Sequence, residues 1–320
     1  MRAGGNVFKS ARMTTGWTPE QLPDLAGKTF VITGGNSGIG FELAKHLTAK
    51  KGRVIITTRD EAKGKGALEA IRAAVPGADV DFVVLDLAEP ASVSAGVAAL
   101  RAKCTRIDAL VNNAGVMQTP EVRTSEGFEL QLATNHLGHF RLNSQLFDLV
   151  EAAGGRIVPV SSIVHRQGVI SLDDLNSKKG YSPTAAYGQS KLANLMYALE
   201  LQRRLAARKS KVSSIPAHPG YSATNLQSAG VGMKGGSTAL KLLYKVTNAV
   251  VAQSAAEGAY PLAMAAAAPE AKPGSYYGPN GMMEMRGKAA EGKPAARALD
   301  EDVARKLWDA TEALVGPFFR

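Results

Sequence analysis
Tyr187 and Lys191 stand four positions apart in the run YGQSK, and Pro183 shortly before them is placed to open a helix. On a helix, four residues put two side chains on one face, one turn apart. A phenol with an ordinary pKa of about 10 is a poor base near neutrality, and a neighbouring ammonium favours the phenolate and lowers that value. The pair therefore suits proton exchange at a carbonyl or hydroxyl oxygen. Tyr181, six residues earlier, has Ala185 at the corresponding position and lies before the helix, so it has no such partner. An aromatic and a lysine also share a helix face by chance, so the surrounding elements must decide.

From residue 29 onward, short β-branched runs alternate with helical stretches: TFVIT (29 to 33), RVIITT (53 to 58), DVDFVVLDL (79 to 87), IDALVNN (107 to 113), RIVPVSS (156 to 162) and KVSSIPAH (211 to 218). Strands separated by helices of ten or more residues imply right-handed crossovers and an α/β fold. Its doubly wound, mostly parallel sheet has about seven strands and helices on both faces. Pro159 and Pro216 interrupt two of these runs, each removing a ladder donor, and blur the strand ends. Parallel sheets present ligands at the carboxyl ends of their strands, where VSS offers Ser161 and Ser162.

The first strand runs into TGGNSGIG (33 to 40) and then into the helical FELAKHLTAKKG. Glycines 34, 38 and 40 allow a tight turn and close backbone approach to a pyrophosphate. The helix N-terminus that follows favours an anion. Their spacing differs from the general dinucleotide fingerprint.

TGGNSGIG resembles the cofactor turn of the short-chain dehydrogenase/reductase family, and further motifs match in order between residue 27 and about 225. The resemblance implies a single Rossmann-type catalytic domain over 27–320. Its cofactor contacts would come from Gly34, Asn36, Ser37, Gly38, Ile39 and Gly40, and from Asp86 and Leu87 at the third strand. NNAG adds Asn113, Ala114 and Gly115, and HPGYSAT adds Pro219, Gly220, Ser222 and Thr224. The family's YxxxK falls on Tyr187, as acid/base, and Lys191, as its electrostatic tuner and a donor to the nicotinamide ribose. Ser162 matches the substrate-orienting serine, and Asn135 the asparagine that holds a water in the proton relay. The gap from Ser162 to Tyr187, with NHLGHF (135 to 140) and HPG, resembles the branch of retinol dehydrogenases, the WW-domain-containing oxidoreductase and the light-dependent protochlorophyllide reductases.

The end of the second strand reads Thr57-Thr58-Arg59-Asp60, with no acid at the tip. A carboxylate there would bind a ribose 2′-hydroxyl, whereas Arg59 offers a fork to a 2′-phosphate, so the expected cofactor is NADP(H) rather than NAD(H). The plainer alternative is a surface arginine beside an Asp60 that caps the next helix.

The 320 residues carry a net charge of +10, yet the bases are scattered and aromatics make up 6%, a pattern of solvated surface rather than nucleic-acid binding. A single cysteine, Cys104, allows no internal disulfide and suits a reducing cytoplasm. His136, His139, His165 and His218 fall on separate elements without ligand spacing, so no metal is expected. No apolar run is long enough for a membrane anchor. Residues 1–26 read as a loose tail, with Met13 a second candidate start. Residues of about 221–268 read as a substrate loop and lid helices, in which Met233, Leu240, Leu243 and Tyr244 are apolar, and about 300–315 as a C-terminal helix. The expected partner is a small apolar carbonyl or alcohol. In the family that the chain resembles, members often pair through the helices at about 130–150 and 184–205, and that branch also has monomers, so the resemblance leaves homodimer and monomer both open. Two other readings stand beside the reductase. One is a non-catalytic NADP(H)-binding sensor or scaffold, which the complete Ser162, Tyr187 and Lys191 set argues against. The other is a protochlorophyllide reductase-like enzyme, whose subfamily carries a cysteine near the tyrosine, far from Cys104.

Overall fold
The computed structural model describes residues 16–221 and 253–319. Six parallel strands form the main sheet in the order β3-β2-β1-β4-β5-β6: β1 (Thr29–Ile32), β2 (Arg53–Thr58), β3 (Val80–Val84), β4 (Ala109–Asn112), β5 (Arg156–Pro159) and β6 (Ser213–Ser214). Alternate residues of each strand feed opposite layers. Phe30, Ile32, Val54, Ile56 and Val111 pack towards α1 (Gly38–Thr48) and α2 (Glu61–Ala74). Val31, Ile55, Leu110 and Ile157 pack towards α3 (Pro90–Lys103) and the helices Gly138–Ala153 and Pro183–Ala207. Helices therefore cover both faces, and the sheet is doubly wound around β1.

The strand count is six, not about seven. Tyr277–Pro279 pairs antiparallel with Ala289–Glu291 as a separate ribbon, and among the described residues a single bridge, Ala217 to Tyr277, ties it to the main sheet. The prolines explain the shortened ends. Pro159 has no N–H to donate across to Ile215, so the run 211–218 keeps regular pairing only at Ser213–Ser214 and resumes as a bridge from Ala217 to Val160, while Pro216 faces the other edge, where its carbonyl accepts from Tyr277 N–H. Pro159 sits at the end of β5, where its carbonyl still accepts from Ala217 N. The third strand ends at Val84, so Asp86 and Leu87 lie in the turn beyond it, with Asp86 N–H bonded to Ser92 Oγ.

Two other segments depart from expectation. The segment from Gly16 to Ala26 is packed rather than loose: Trp17 is fully buried and exchanges backbone hydrogen bonds with Ala289, and Leu22 and Leu25 join the same core. Of the supposed lid, the helix Tyr260–Ala267 buries Leu262, Ala263, Met264 and Ala265 against α1, because its small apolar side chains make a core helix. Residues 222–252, with Met233, Leu240, Leu243 and Tyr244, lie outside the described residues. The last helix, Glu301–Val315, starts at Asp300, whose carboxylate accepts from Val303 N–H. Beyond it Phe318 packs on Phe140 and Trp308 stacks on Tyr197, so this chain's own C-terminus covers part of the outer sides of the helices Gly138–Ala153 and Pro183–Ala207. No helix among the described residues is long and apolar enough to cross a membrane.

Candidate active site
The chain reverses direction between β1 and β4, and the crevice at their carboxyl ends opens into a cavity of about 1050 Å³. One wall is the glycine turn. Gly34 has φ +65°, and a Cβ on it would lie 2.9 Å from Ala114 Cα; a Cβ on Gly40 would meet Asn113 Nδ2 at 2.5 Å. Only glycine lets the turn and the helix start come this close to the end of β4. Asn113 donates from Nδ2 to Thr33 O, which ties the two loops together. Gly34, Asn36, Ser37, Gly38 and Ile39 line the cavity, whereas Gly40 is buried behind them. Ser37 makes no capping bond from its side chain, so the first-turn N–H groups of an eleven-residue helix are left for an anionic ligand.

At one end of the cavity stand Arg59, exposed, and Lys63, a cation that the reading of the strand tip passed over. Asp60 caps α2 through Lys63 N–H at 2.9 Å, so capping and a ligand role for Arg59 are compatible. Asp86, Leu87, Asn113, Ala114, Gly115, Pro219 and Gly220 also line the cavity; Ser222 and Thr224 lie outside the described residues.

Ser162, Tyr187 and Lys191 meet on the remaining wall. Ser182 caps the helix Pro183–Ala207 at Ala185 N–H, Pro183 takes its first turn, and the face carrying Tyr187, Lys191 and Asn194 is buried. Ser162 stands beside the Tyr187 hydroxyl and lowers its pKa, and Lys191 Nζ stands 5.8 Å from the centre of the Tyr187 ring. The expected depression of the tyrosine pKa is reversed. Burial pushes the phenol up to about 12, against a smaller lowering by Ser162, because desolvation disfavours the phenolate more than its neighbour favours it. Burial also brings Lys191 down to about 8. Ser161 also lines the cavity, but its hydroxyl is committed to Lys191 O at 2.8 Å, which holds the helix against β5.

Asn135 does not line the cavity. It lies in a π-helical turn, Ala133–Leu137, where its Oδ1 accepts from Val116 N–H at 2.8 Å and its Nδ2 donates to Val116 O and Ser190 Oγ, both at 2.9 Å. Turns of this kind recur near functional sites. The support behind it has no local signature in the chain. His139 Nδ1–H donates to Asn135 O, so its Nε2 accepts the Thr33 hydroxyl proton at 2.8 Å, and Thr33 Oγ1 accepts from Ala114 N–H. Burial lowers the His139 pKa to about 3, which keeps this ring neutral and its tautomer fixed. His136 bonds Asn194 and Thr311 instead. No group of three or more potential metal ligands occurs among the described residues.

Tyr181 is held outside the chemistry. Its hydroxyl donates to Thr119 O at 2.8 Å and accepts from Gln131 Nε2 at 2.9 Å. Tyr181→Phe is expected to destabilise the fold by about 1–2 kcal/mol in urea titrations while leaving turnover within a few-fold. A larger loss of turnover than of stability would give Tyr181 a chemical role.

Residues 28–231 match the family described as short chain dehydrogenase. Retinol dehydrogenase 14 of Homo sapiens is 36% identical over 98% of this chain and 95% of its own length, and the polyprenol dehydrogenase of Mus musculus is 36% identical over 95% and 89%. A solved structure described as a putative uncharacterized protein from Mycobacterium Paratuberculosis matches with a TM-score of 0.78 at 36% identity, covering 96% of this chain and all of that one. With the glycine turn, the serine and the tyrosine–lysine pair gathered on one crevice, the chain belongs to the short-chain dehydrogenase family, in its retinol dehydrogenase-like branch.

Proposed function
We propose that the protein is an NADP(H)-dependent oxidoreductase that interconverts an apolar ketone or aldehyde and its alcohol. The observation that carries this reading is the convergence of Ser162, Tyr187 and Lys191 on a cavity whose other end presents Arg59 and Lys63. The residues fit a dinucleotide. The uncapped start of α1 takes the pyrophosphate, and the two cations take a 2′-phosphate, Arg59 as a fork and Lys63 as a point charge. When bound, the nicotinamide supplies or accepts the hydride.

The chain's own groups do the rest. Ser162 holds the substrate oxygen beside the Tyr187 hydroxyl. In the reducing direction the protonated phenol donates to that oxygen, and its high pKa in the ligand-free protein ensures that the proton is present at neutral pH. Lys191 stabilises the phenolate left behind and provides a donor to the ribose. Asn135 fixes the Val116 segment and, through Ser190, the helix that carries Tyr187. Val116, Met117, Ile163 and Val164, which follow Gly115 and Ser162 along the chain, give that part of the cavity an apolar lining. This agrees with the isoprenoid alcohols for which two relatives are named. The C-terminal cover over the two long helices favours a monomer.

The reading is tested with a panel of apolar aldehydes, ketones and alcohols, each offered with NADPH, NADH and the oxidised forms. Turnover of a carbonyl with NADPH supports it, and absence of any reaction across the panel would sink it. Arg59→Ala is expected to raise the KM for NADPH about tenfold to thirtyfold with little change for NADH, the loss of one charge-assisted contact while Lys63 remains. Equal use of both cofactors by the unaltered protein would remove the phosphate role of Arg59.

A further inference from the structure
Two walls of the cavity meet behind the site at one carboxylate that lines neither. Glu284 Oε2 accepts from Arg166 Nη2 at 2.8 Å and faces His218 Nε2 at 3.2 Å, and its Oε1 accepts from Lys293 N–H at 3.0 Å. Arg166 ends the short helix Ile163–Arg166, whose first side chains line the cavity and whose cap is Ser162. His218 is fully buried and precedes the turn Pro219–Tyr221, which lines the cavity on another side. Its Nδ1 accepts from Gly220 N–H at 3.2 Å, so the ring proton must sit on Nε2, aimed at Glu284.

The loop that carries Glu284 binds the same turn by its backbone. Tyr221 N–H donates to Met285 O at 2.7 Å. Gly220 has φ +68°, and a Cβ there would lie 2.4 Å from the same carbonyl. Met283 and Glu284 both hold left-handed conformations, φ 54° and 59°, which ordinary residues adopt only where the surroundings impose them. On the other wall, His165 Nδ1–H donates to Ser162 O at 2.6 Å, while its Nε2 accepts from Ala295 N–H. The C-terminal segment 281–295 therefore grips both the serine and the turn, and Glu284 is the charge shared between them.

We propose that Glu284 is a positioning residue for the reaction: through Arg166 and His218 it fixes the distance between Ser162 and the Pro219–Tyr221 turn. The proposal rests on the carbonyl–alcohol reading of the cavity, because its consequence is the placement of the substrate oxygen against the reacting partner. A gap set by one carboxylate changes at both walls when the charge is removed, whereas a local packing role would loosen only the Glu284 loop.

The test uses the full chain and two separate substitutions. Glu284→Gln keeps the shape and removes the charge, and Arg166→Met removes the opposite pole, with its Nη1 bond to Met283 O at 3.3 Å, and leaves the loop's bonds to Tyr221 and Lys293 in place. In amide hydrogen exchange, each is expected to speed exchange about tenfold in residues 163–168 and 218–221 together, with β1 and β4 unchanged. For a carbonyl reduced with NADPH, kcat/KM per folded molecule should fall about tenfold, while the affinity for 2′,5′-ADP, which reads the Arg59 end, stays within twofold. Arg166→Met combined with Glu284→Gln should be no worse than either alone, the mark of two groups acting as one link. Unchanged exchange at either segment, additive losses, or unchanged kcat/KM would overturn the proposal. If Glu284→Gln does not fold, Arg166→Met decides alone. A native protein that reduces no carbonyl would sink the functional reading, and the exchange measurements would still decide whether Glu284 links the two walls.

Discussion

Tyr187→Phe is expected to lower kcat for carbonyl reduction by about 10³-fold while leaving the fold and cofactor binding close to those of the native protein. The substitution removes one oxygen from a side chain that is 6% exposed and keeps the ring that fills the space. The phenol's polar neighbour, Ser162, borders the cavity and has water or substrate to replace it. What disappears is the protonated phenol beside Ser162, and positioned acid–base catalysis contributes about 10²–10⁴-fold. Single-turnover kinetics with NADPH, alongside an NADPH titration, separate the two effects. A variant with native kcat would refute Tyr187 as the acid, and a variant that lost NADPH binding in proportion to kcat would make it a binding residue instead.

Lys191→Met is expected to abolish turnover and at the same time to make the ligand-free protein more stable at pH 7. Lys191 is 3% exposed and its ammonium donates to Val160 O at 3.2 Å. Asn194 Nδ2 donates to the same carbonyl at 3.2 Å, so methionine leaves that acceptor satisfied. Burial brings the lysine from 10.5 to about 8, so the unfolded chain binds a proton in this interval that the folded chain does not. Stability therefore rises with pH from about 8 to 10.5, and the full cost of the buried charge, on the order of 3 kcal/mol, is present below 8. Methionine of similar volume removes that cost. Urea titrations at pH 7 and pH 10 should show the variant ahead at pH 7 by about 1–3 kcal/mol and the gap closing at pH 10. A gap independent of pH would show that the charge is not the cause. A lysine kept where it weakens the fold is a mark of a functional position.

Several features of the site were legible from local pattern. The alternation of β-branched runs and helices gave the parallel sheet, because burial on both faces leaves near-continuous apolar strands. The choice of Tyr187 over Tyr181 followed from the period of the helix and from Pro183, and both are local. Arg59 was legible because a strand tip is a fixed place in such a sheet. Lys63 was not, since its approach to the cavity depends on how α2 packs after its Asp60 cap.

Other features had no local signal. The seventh strand fails because Pro216 removes a donor at the point where pairing would extend, and only the neighbouring geometry reveals that a single bridge survives among the described residues. Trp17 and the helix Tyr260–Ala267 looked like tail and lid, yet the sheet face over α1 needs apolar cover and takes it from both ends of the chain. The tyrosine's pKa was misjudged in direction, since spacing shows which charges are near and not how much water is excluded.

The sequence by itself determined the fold class, through its periodicity, and the family, through motifs whose resemblance also marked the Ser162, Tyr187 and Lys191 that meet in the cavity. The tertiary structure alone decided the upward shift of the buried phenol, the commitment of the Ser161 hydroxyl to Lys191 O, the place of Asn135 behind the cavity lining, and the meeting of Arg166, His218 and Glu284. Those depend on desolvation and on contacts between segments from 19 to 118 residues apart, for which a linear pattern carries no record.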